Sequence, residues 1–320
     1  MTITARIDAI THLPPERLAT VIPAPRSVKI ELTGRCNFNC MFCARGDGLR
    51  EQKDMDQAFF NRIIREMRAA GVEELGLFYL GESMLCPWLA EAVAEAKAVG
   101  FPYVFLTTNG SLATRAKCEA LFRAGLDSLK FSFNYADETQ FARVTRVKAS
   151  LYEKVRANVH AARIVRDQVE AETGHRCGLY ASYIQYDGEQ AAAMEETAAW
   201  LGQFVDEVYA LPLYNQAGLC KQKLQTDAAE WMQTAGNMGR IGGLVPPLPC
   251  WALFSEGHVS WNRFLTGCCF SHVPDFDFGN LDEMSFLEAW NSSAAQALRK
   301  ASLSKDVRGT PCEHCVAYAA

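Results

Sequence analysis

Three cysteines on one short stretch, Cys36-Asn-Phe-Asn-Cys40-Met-Phe-Cys43, carry the clearest chemistry in this chain, with gaps of three and two residues between them. Three thiolates can hold three corners of an iron-sulfur cubane, whereas a closed cluster takes four, so one iron is left without a protein ligand. An open coordination position is how a catalytic metal site keeps room for a substrate, in contrast with the filled shell of a structural site. A zinc loop would need a fourth ligand close by, and no Cys or His completes this stretch.

A second set comprises Cys250, Cys268, Cys312 and Cys315, separated by 18, 44 and 3 positions. Four thiolates complete a cluster with no open iron, which suits an electron-handling or structural centre. Four cysteines also satisfy zinc, so a zinc-stabilised tail stays open on thiol number alone. Cys269 adjoins Cys268 as an alternative ligand. Cys86, Cys118, Cys177 and Cys220 lie singly, where buried structural thiols are the default. Cys86 and Cys220 follow strand ends, on the face where a substrate would sit.

The elements that must position these groups follow from the hydrophobic period. Residues 27–32 read as a buried strand, the cysteine loop comes next, and a helix follows over 59–71. Strands at 75–80, 103–109, 128–134, 178–186 and 207–213 then alternate with helices over 89–100, 113–125, 151–172 and 191–204. Six strands with helices between them predict an α/β fold, a partial (β/α)6 barrel with its site at the carboxyl ends of the strands. The pattern breaks after about residue 217. Five of the twelve cysteines fall between 250 and 315, which predicts a small C-terminal cysteine-rich iron-sulfur domain over 240–320, a barrel over 27–239 and an N-terminal extension over 1–26.

The chain has 320 residues, is 49% apolar and has a formal net charge of -5. No Lys/Arg block is present, which argues against nucleic acid or an anionic membrane as partner. The first 26 residues lack an apolar core of the signal-peptide kind, and no stretch approaches the length of a membrane span, so a cytoplasmic location is expected. A reducing cytosol leaves twelve thiols free for metal.

The CxxxCxxC loop after the first strand resembles the signature of the radical S-adenosylmethionine superfamily, and the second cysteine set resembles the SPASM, or twitch, domain, ending in Pro311-Cys312-Glu313-His314-Cys315. The resemblance implies a [4Fe-4S] cluster whose open iron chelates S-adenosylmethionine, and one auxiliary [4Fe-4S] cluster. It also implies an electron donor such as flavodoxin or ferredoxin. By the same resemblance Phe42 lies against the adenine, and Gly81 and Glu82 meet the ammonium of the methionine moiety. Thr108, Asn109, Ser132 and Asn134 hold ribose and carboxylate, and Arg146 matches an arginine that relatives often show. Leu80 departs from a glycine in that pattern, Asn134 from an acid and Arg263 from a hairpin glycine.

The activity that the resemblance implies is hydrogen abstraction from a small polar molecule such as an aminocyclitol, aminoglycoside or sugar. Two-electron dehydrogenation with help from the auxiliary cluster is the first expectation. Epimerisation, with Cys86, Cys220 or Cys269 as candidate hydrogen-atom donor to a substrate radical, and modification of a ribosomal peptide are the alternatives, and a non-catalytic electron relay is the alternative of another class. Replacing Cys36, Cys40 and Cys43 together by Ala is expected to remove about half of the iron, in line with two four-iron sites. The same variant should abolish release of 5'-deoxyadenosine from S-adenosylmethionine; release at the wild-type rate would refute the role of this loop.

Overall fold

The computed structural model describes residues 2–220, 233–234 and 237–317. In chain order they form α1 (Ile3–Thr11), β1 (Ser27–Ile30), α2 (Gln57–Ala69), β2 (Glu74–Gly76), α3 (Leu89–Val99), β3 (Tyr103–Thr108) and α4 (Arg115–Arg123). Next come β4 (Ser128–Ser132), α5 (Glu138–Thr145), α6 (Leu151–Thr173), β5 (Gly178–Ile184), α7 (Glu189–Leu201) and β6 (Glu207–Leu211). Helix starts are fixed by capping side chains: Asp56, Thr114 and Asp137 each accept a backbone N–H from the first turn of α2, α4 and α5. Each such cap contributes about 1 kcal/mol. In α2, Phe59, Phe60, Ile63, Ile64 and Met67 form one buried stripe, the spacing of a helix packed on a sheet.

Strands β1 to β6 pair in parallel and in sequence order, and the sheet stays open. This is the partial barrel expected from the alternation. β7 (Leu213–Tyr214) and β8 (Gln233–Thr234) make a separate pair. The C-terminal segment then continues the main sheet through β9 (Glu256–Val259), β10 (Phe264–Thr266) and β11 (Asp277–Asn280). β9 runs parallel to β1, with Ser27 opposite Glu256 and Ile30 opposite Val259, so β1 is hydrogen-bonded on both sides.

The strand expected over 75–80 is shorter than its apolar run. Leu77 N–H still donates to Phe105 O at 2.9 Å, but the chain then leaves the sheet and Glu82 N–H reaches Arg35 O at 2.8 Å. Packing of this turn against the cysteine loop overrides the strand pattern.

Side-chain alternation explains what lies inside the barrel. In β3 Val104, Leu106 and Thr108 are buried while Tyr103, Phe105 and Thr107 alternate with them, and in β4 Leu129 and Phe131 are buried between Ser128, Lys130 and Ser132. Residues of the inner face then border a cavity of about 360 Å³, among them Lys29, Tyr103, Ser128, Lys130, Ser132, Ser182 and Tyr209. Closed eight-stranded barrels fill this space with branched apolar side chains. Here the polar inner face leaves room for a ligand.

The residues read as an N-terminal extension contain α1, which lies across the amino ends of the strands, with Ile3, Arg6, Ile7, Ile10 and Thr11 bordering the cavity. Arg6 pairs with Glu74 at 2.8 Å and its guanidinium sits 3.6 Å from the centroid of the Tyr103 ring. The Glu207 carboxylate accepts the backbone N–H of Ile3 at 2.9 Å and the hydroxyl of Thr4, placing an anion at the positive end of the helix. Glu207→Ala removes both contacts. Amide exchange of residues 3–11 is expected to speed up about 5- to 30-fold, the effect of 1–2 kcal/mol, with α2 to α4 unchanged; protection equal to wild type would refute this attachment.

Candidate functional site

The first cysteine loop follows β1 and is held from several sides. Asn39 N–H donates to Thr145 O at 3.0 Å and Met41 N–H to Val144 O at 2.9 Å, pinning the loop to the end of α5. Cys43 N–H donates to Cys40 O at 3.0 Å. Arg35 forks onto Asp54 at 2.9 and 2.7 Å, and Phe38 packs edge-on against Phe141. Glu31, at the root of the loop, takes both arms of Arg50 at 3.3 and 2.7 Å and the Trp261 N–H at 3.1 Å. It thereby ties the loop to the β9–β10 turn. Burial raises the Glu31 carboxyl despite Arg50.

The donor chemistry of this loop fits an iron-sulfur cluster. None of Cys36, Cys40 and Cys43 is in a disulfide. Burial pushes the Cys36 thiol up to about 11 and Cys40 further up, and the neighbouring cysteines add to the rise at both. Three thiolates this close are unfavourable alone and become favourable with iron between them. Among the described residues no three such side chains surround one point as a single ion requires.

Glu82 sits beside this loop and is buried, which raises its carboxyl. It accepts from Met84 N–H at 3.0 Å, from the Thr108 hydroxyl at 2.9 Å and from Asn109 N–H at 2.7 Å. These three donors leave one of about four lone-pair positions for a ligand's ammonium. Asn109 in turn donates to Asn37 at 2.9 Å, so Glu82 braces the end of β3 against the cysteine loop. Gly81 is the tightest point, because a Cβ there would stand 2.0 Å from Thr33 O and 2.7 Å from Arg35 O.

Phe42, Ser132 and Asn134 border the cavity, as does Thr107, whereas Thr108 points the other way, into the brace. Arg146 is exposed at the left-handed C-cap of α5 and lies outside the cavity lining. Of the three candidate hydrogen donors only Cys269 borders the cavity, with Asn237 donating to its sulfur at 3.1 Å. Cys86 is buried beside the Ser83–Leu85 turn, and burial raises its thiol to about 11. Cys220 is fully buried and donates to Phe42 O at 3.3 Å.

The second cysteine set converges at the other side of the cavity. Burial raises the Cys250 thiol, with Cys312 and Cys315 next in effect, and Cys312 is raised to about 11. For Cys268 the adjoining Cys269 thiol comes first, then burial, then Cys269, Cys315 and Cys312 electrostatically. Cys250 and Cys268 both feel the charges of Cys312 and Cys315, so each lies near the final cysteine pair. Tyr79, from the turn after β2, donates to Cys268 O at 2.5 Å and accepts from Ser271 N–H at 3.2 Å. Arg263, which stands where relatives have glycine, has φ +73° and is held by Asp282 at 2.8 Å; the left-handed backbone explains the glycine preference.

The segment after β7 touches both cysteine groups. Gln216 accepts Ala44 N–H at 2.9 Å, while Asn215 donates to His314 O at 3.1 Å, between Cys312 and Cys315. This bridge joins residues 172 and 99 positions apart, which no local sequence pattern announces. Sequence reasoning also passed over Lys130, although Ser-Leu-Lys-Phe-Ser alternation at 128–132 puts it on the face shared by Ser128 and Ser132.

Comparison with known proteins agrees with this layout. Residues 30–167 match the model of the radical SAM superfamily, and residues 250–316 match that of SPASM, an iron-sulfur cluster-binding domain. Among curated proteins, PqqA peptide cyclase of Gluconobacter oxydans is 27% identical over 310 residues, covering 92% of this chain and 84% of that one. GTP 3',8-cyclase of Chlorobaculum tepidum is 34% identical over 120 residues, 37% of this chain and 36% of that one. Among solved structures, BtrN in complex with AdoMet and 2-DOIA superposes with TM-score 0.55 at 13% identity, covering 87% and 86% of the two chains. SuiB of Streptococcus suis bound to precursor peptide SuiA gives 0.62 at 14% identity, covering 87% and 67%. The second cysteine set lies within the stretch that matches the SPASM iron-sulfur cluster-binding domain, which favours iron over zinc there. Among the described residues no helix is long and apolar enough to cross a membrane.

Gly81→Ala tests the close approach described above. Its Cβ meets backbone oxygens that cannot swing aside, and a cost of about 3 kcal/mol or more is expected. Thermal unfolding and iron content should both fall, the latter at the first loop, whereas Gly202→Ala, in right-handed backbone with nothing closer than 3.5 Å to its added Cβ, should keep both. An unchanged melting curve for Gly81→Ala would overturn the geometry.

Proposed function

Because this chain belongs to the radical S-adenosylmethionine superfamily and carries a SPASM iron-sulfur domain, we propose that it oxidises a small polar substrate held in the barrel cavity. When bound, the two clusters and S-adenosylmethionine supply a carbon-centred radical that takes a hydrogen atom and an iron centre able to accept an electron. The observation that carries the reading is the reach of the cavity. It extends from Phe42 on the first cysteine loop to Cys269 and Phe270 beside the second set, so a ligand in it lies between the two.

The chain's own residues would bind and orient that ligand. Ser128 and Ser182 offer hydroxyl partners, and Tyr103 and Tyr209 offer ring faces with polar tips. A cavity of about 360 Å³ suits a compact molecule better than a long peptide, and α1 closes its floor. Phe42, Glu82, Asn109, Ser132 and Asn134 are the residues proposed to hold S-adenosylmethionine; Gly81 gives them their close approach. The N-terminal segment, barrel and auxiliary domain are proposed to meet near residues 26 and 239.

Peptide modification is the second reading, favoured by the likeness to PqqA peptide cyclase along 92% of the chain. Epimerisation would use Cys269, the candidate thiol that borders the cavity. Turnover in heavy water separates these outcomes. A carbonyl product two mass units below the substrate, with no solvent deuterium fixed at carbon, is expected and should persist in Cys269→Ala. Deuterium at the reacting carbon that disappears in Cys269→Ala would replace oxidation by epimerisation, and a cross-linked peptide product would establish the second reading.

A further inference from the structure

We propose that Lys130 anchors an anionic group of the substrate, a carboxylate in the simplest case, at the depth of β4; this rests on the cavity being the substrate site. Three cationic and two anionic side chains border the cavity: Arg6, Lys29 and Lys130 against Glu74 and Glu256. Arg6 is paired with Glu74 at 2.8 Å, and Lys29 with Glu256 at 2.8 Å. Glu256 also meets His258 Nε2 at 2.8 Å, and although burial opposes it, Lys29 and His258 bring its carboxyl down to about 2. Both anions are therefore committed.

Lys130 is left over. Among the described residues it makes no hydrogen bond or ion pair, and its Nζ stands 5.8 Å from the centroid of the Tyr209 ring. Burial, and then the charge of Lys29, bring its ammonium down to about 8. An ammonium without a partner inside a protein is costly, and a cavity beside it offers relief through a ligand anion. Lys130 lies two residues before the last residue of β4, Ser132, and four before Asn134. That places it deeper in the barrel than the strand-end residues assigned to S-adenosylmethionine, so the anion it meets belongs to the second ligand. The substrate class implied is a polar acid, such as a uronic, aldonic or amino acid derivative.

The test is calorimetric titration of the reconstituted holoprotein with S-adenosylmethionine bound and no reductant, using matched pairs: D-glucuronate against D-glucose, D-gluconate against D-glucitol, L-glutamate against L-glutamine. At least one acid should bind roughly 10- to 100-fold tighter than its neutral partner, the range of a hydrogen bond to a charged group. Lys130→Met should lose that preference and Lys130→Arg should keep part of it. Lys130→Met should also melt at or above the wild-type temperature, because it removes an unpaired charge; the proposal does not depend on a variant that fails to fold.

Equal binding of both members of every pair, absence of binding by any acid, or a preference unchanged in Lys130→Met would each overturn the anchor. So would a loss of S-adenosylmethionine affinity in Lys130→Met with no acid preference in wild type, which would assign the ammonium to the cofactor. Adding reductant separates the two levels. If a neutral compound drives equal 5'-deoxyadenosine release in wild type and Lys130→Met, the radical reading stands and the anchor falls. If an acid binds through Lys130 and is never consumed, the anchor stands and the oxidation reading falls.

Discussion

The parallel pairing of β1 with both β2 and β9 is the constraint on which the rest of this structure depends. The first cysteine loop leaves the sheet directly after β1, and the hairpin that carries Cys268 leaves it after β9 and β10. Because strand spacing in a sheet is nearly fixed, at about 4.8 Å between neighbours, the two cysteine groups cannot drift apart. The cavity lies between them for the same reason. Glu31 secures the junction, since it joins Arg50 of the loop to Trp261 of the hairpin turn while itself 1% exposed. Removing one partner of such a buried pair typically costs about 3–5 kcal/mol.

Charge is arranged around this frame with little to spare. Burial and neighbouring cysteines raise the thiols of Cys36, Cys40, Cys250 and Cys268, which favours their neutral form unless a metal is bound. Inside the barrel the opposite problem is met by pairing: Arg6 with Glu74, and Glu256 with both Lys29 and His258. A polar interior gives up part of the apolar packing that stabilises closed barrels. The outer layer retains it, through Phe60, Ile63, Ile64, Leu106, Leu129, Phe131 and Val159, all at most 1% exposed.

Much of this was legible in the sequence because it is local. The cysteine spacings, the six strands and the helices between them follow from short-range pattern, and the barrel with its iron-sulfur appendage came from those. What stayed hidden was non-local. Nothing in Glu256-Gly-His-Val announces a strand that will pair with residues 27–30, more than two hundred positions earlier. Lys130 is an ordinary alternating residue until the register sets it beside a void. The amphipathic spacing of Ile3, Ile7 and Ile10 after Thr2 was a usable signal for α1, one that targeting criteria alone do not weigh. Gly81 and Arg263 show two sides of one lesson: the glycine is required by carbonyls at 2.0 and 2.7 Å, and the arginine tolerates a conformation that glycine would adopt freely.

The segment from Asn215 to Cys220 grips the first cysteine loop through Gln216 and the last cysteine pair through Asn215, and Gly218 comes so close to His314 that an added Cβ would stand 2.6 Å away. Two metallation equilibria thus share one mechanical element. If filling one set shifts that element the other set feels it, and linkage makes such a coupling equal in both directions. A metal held at either set would therefore lie against a loop fastened by the same short segment, which gives loading at one set a structural route to the other.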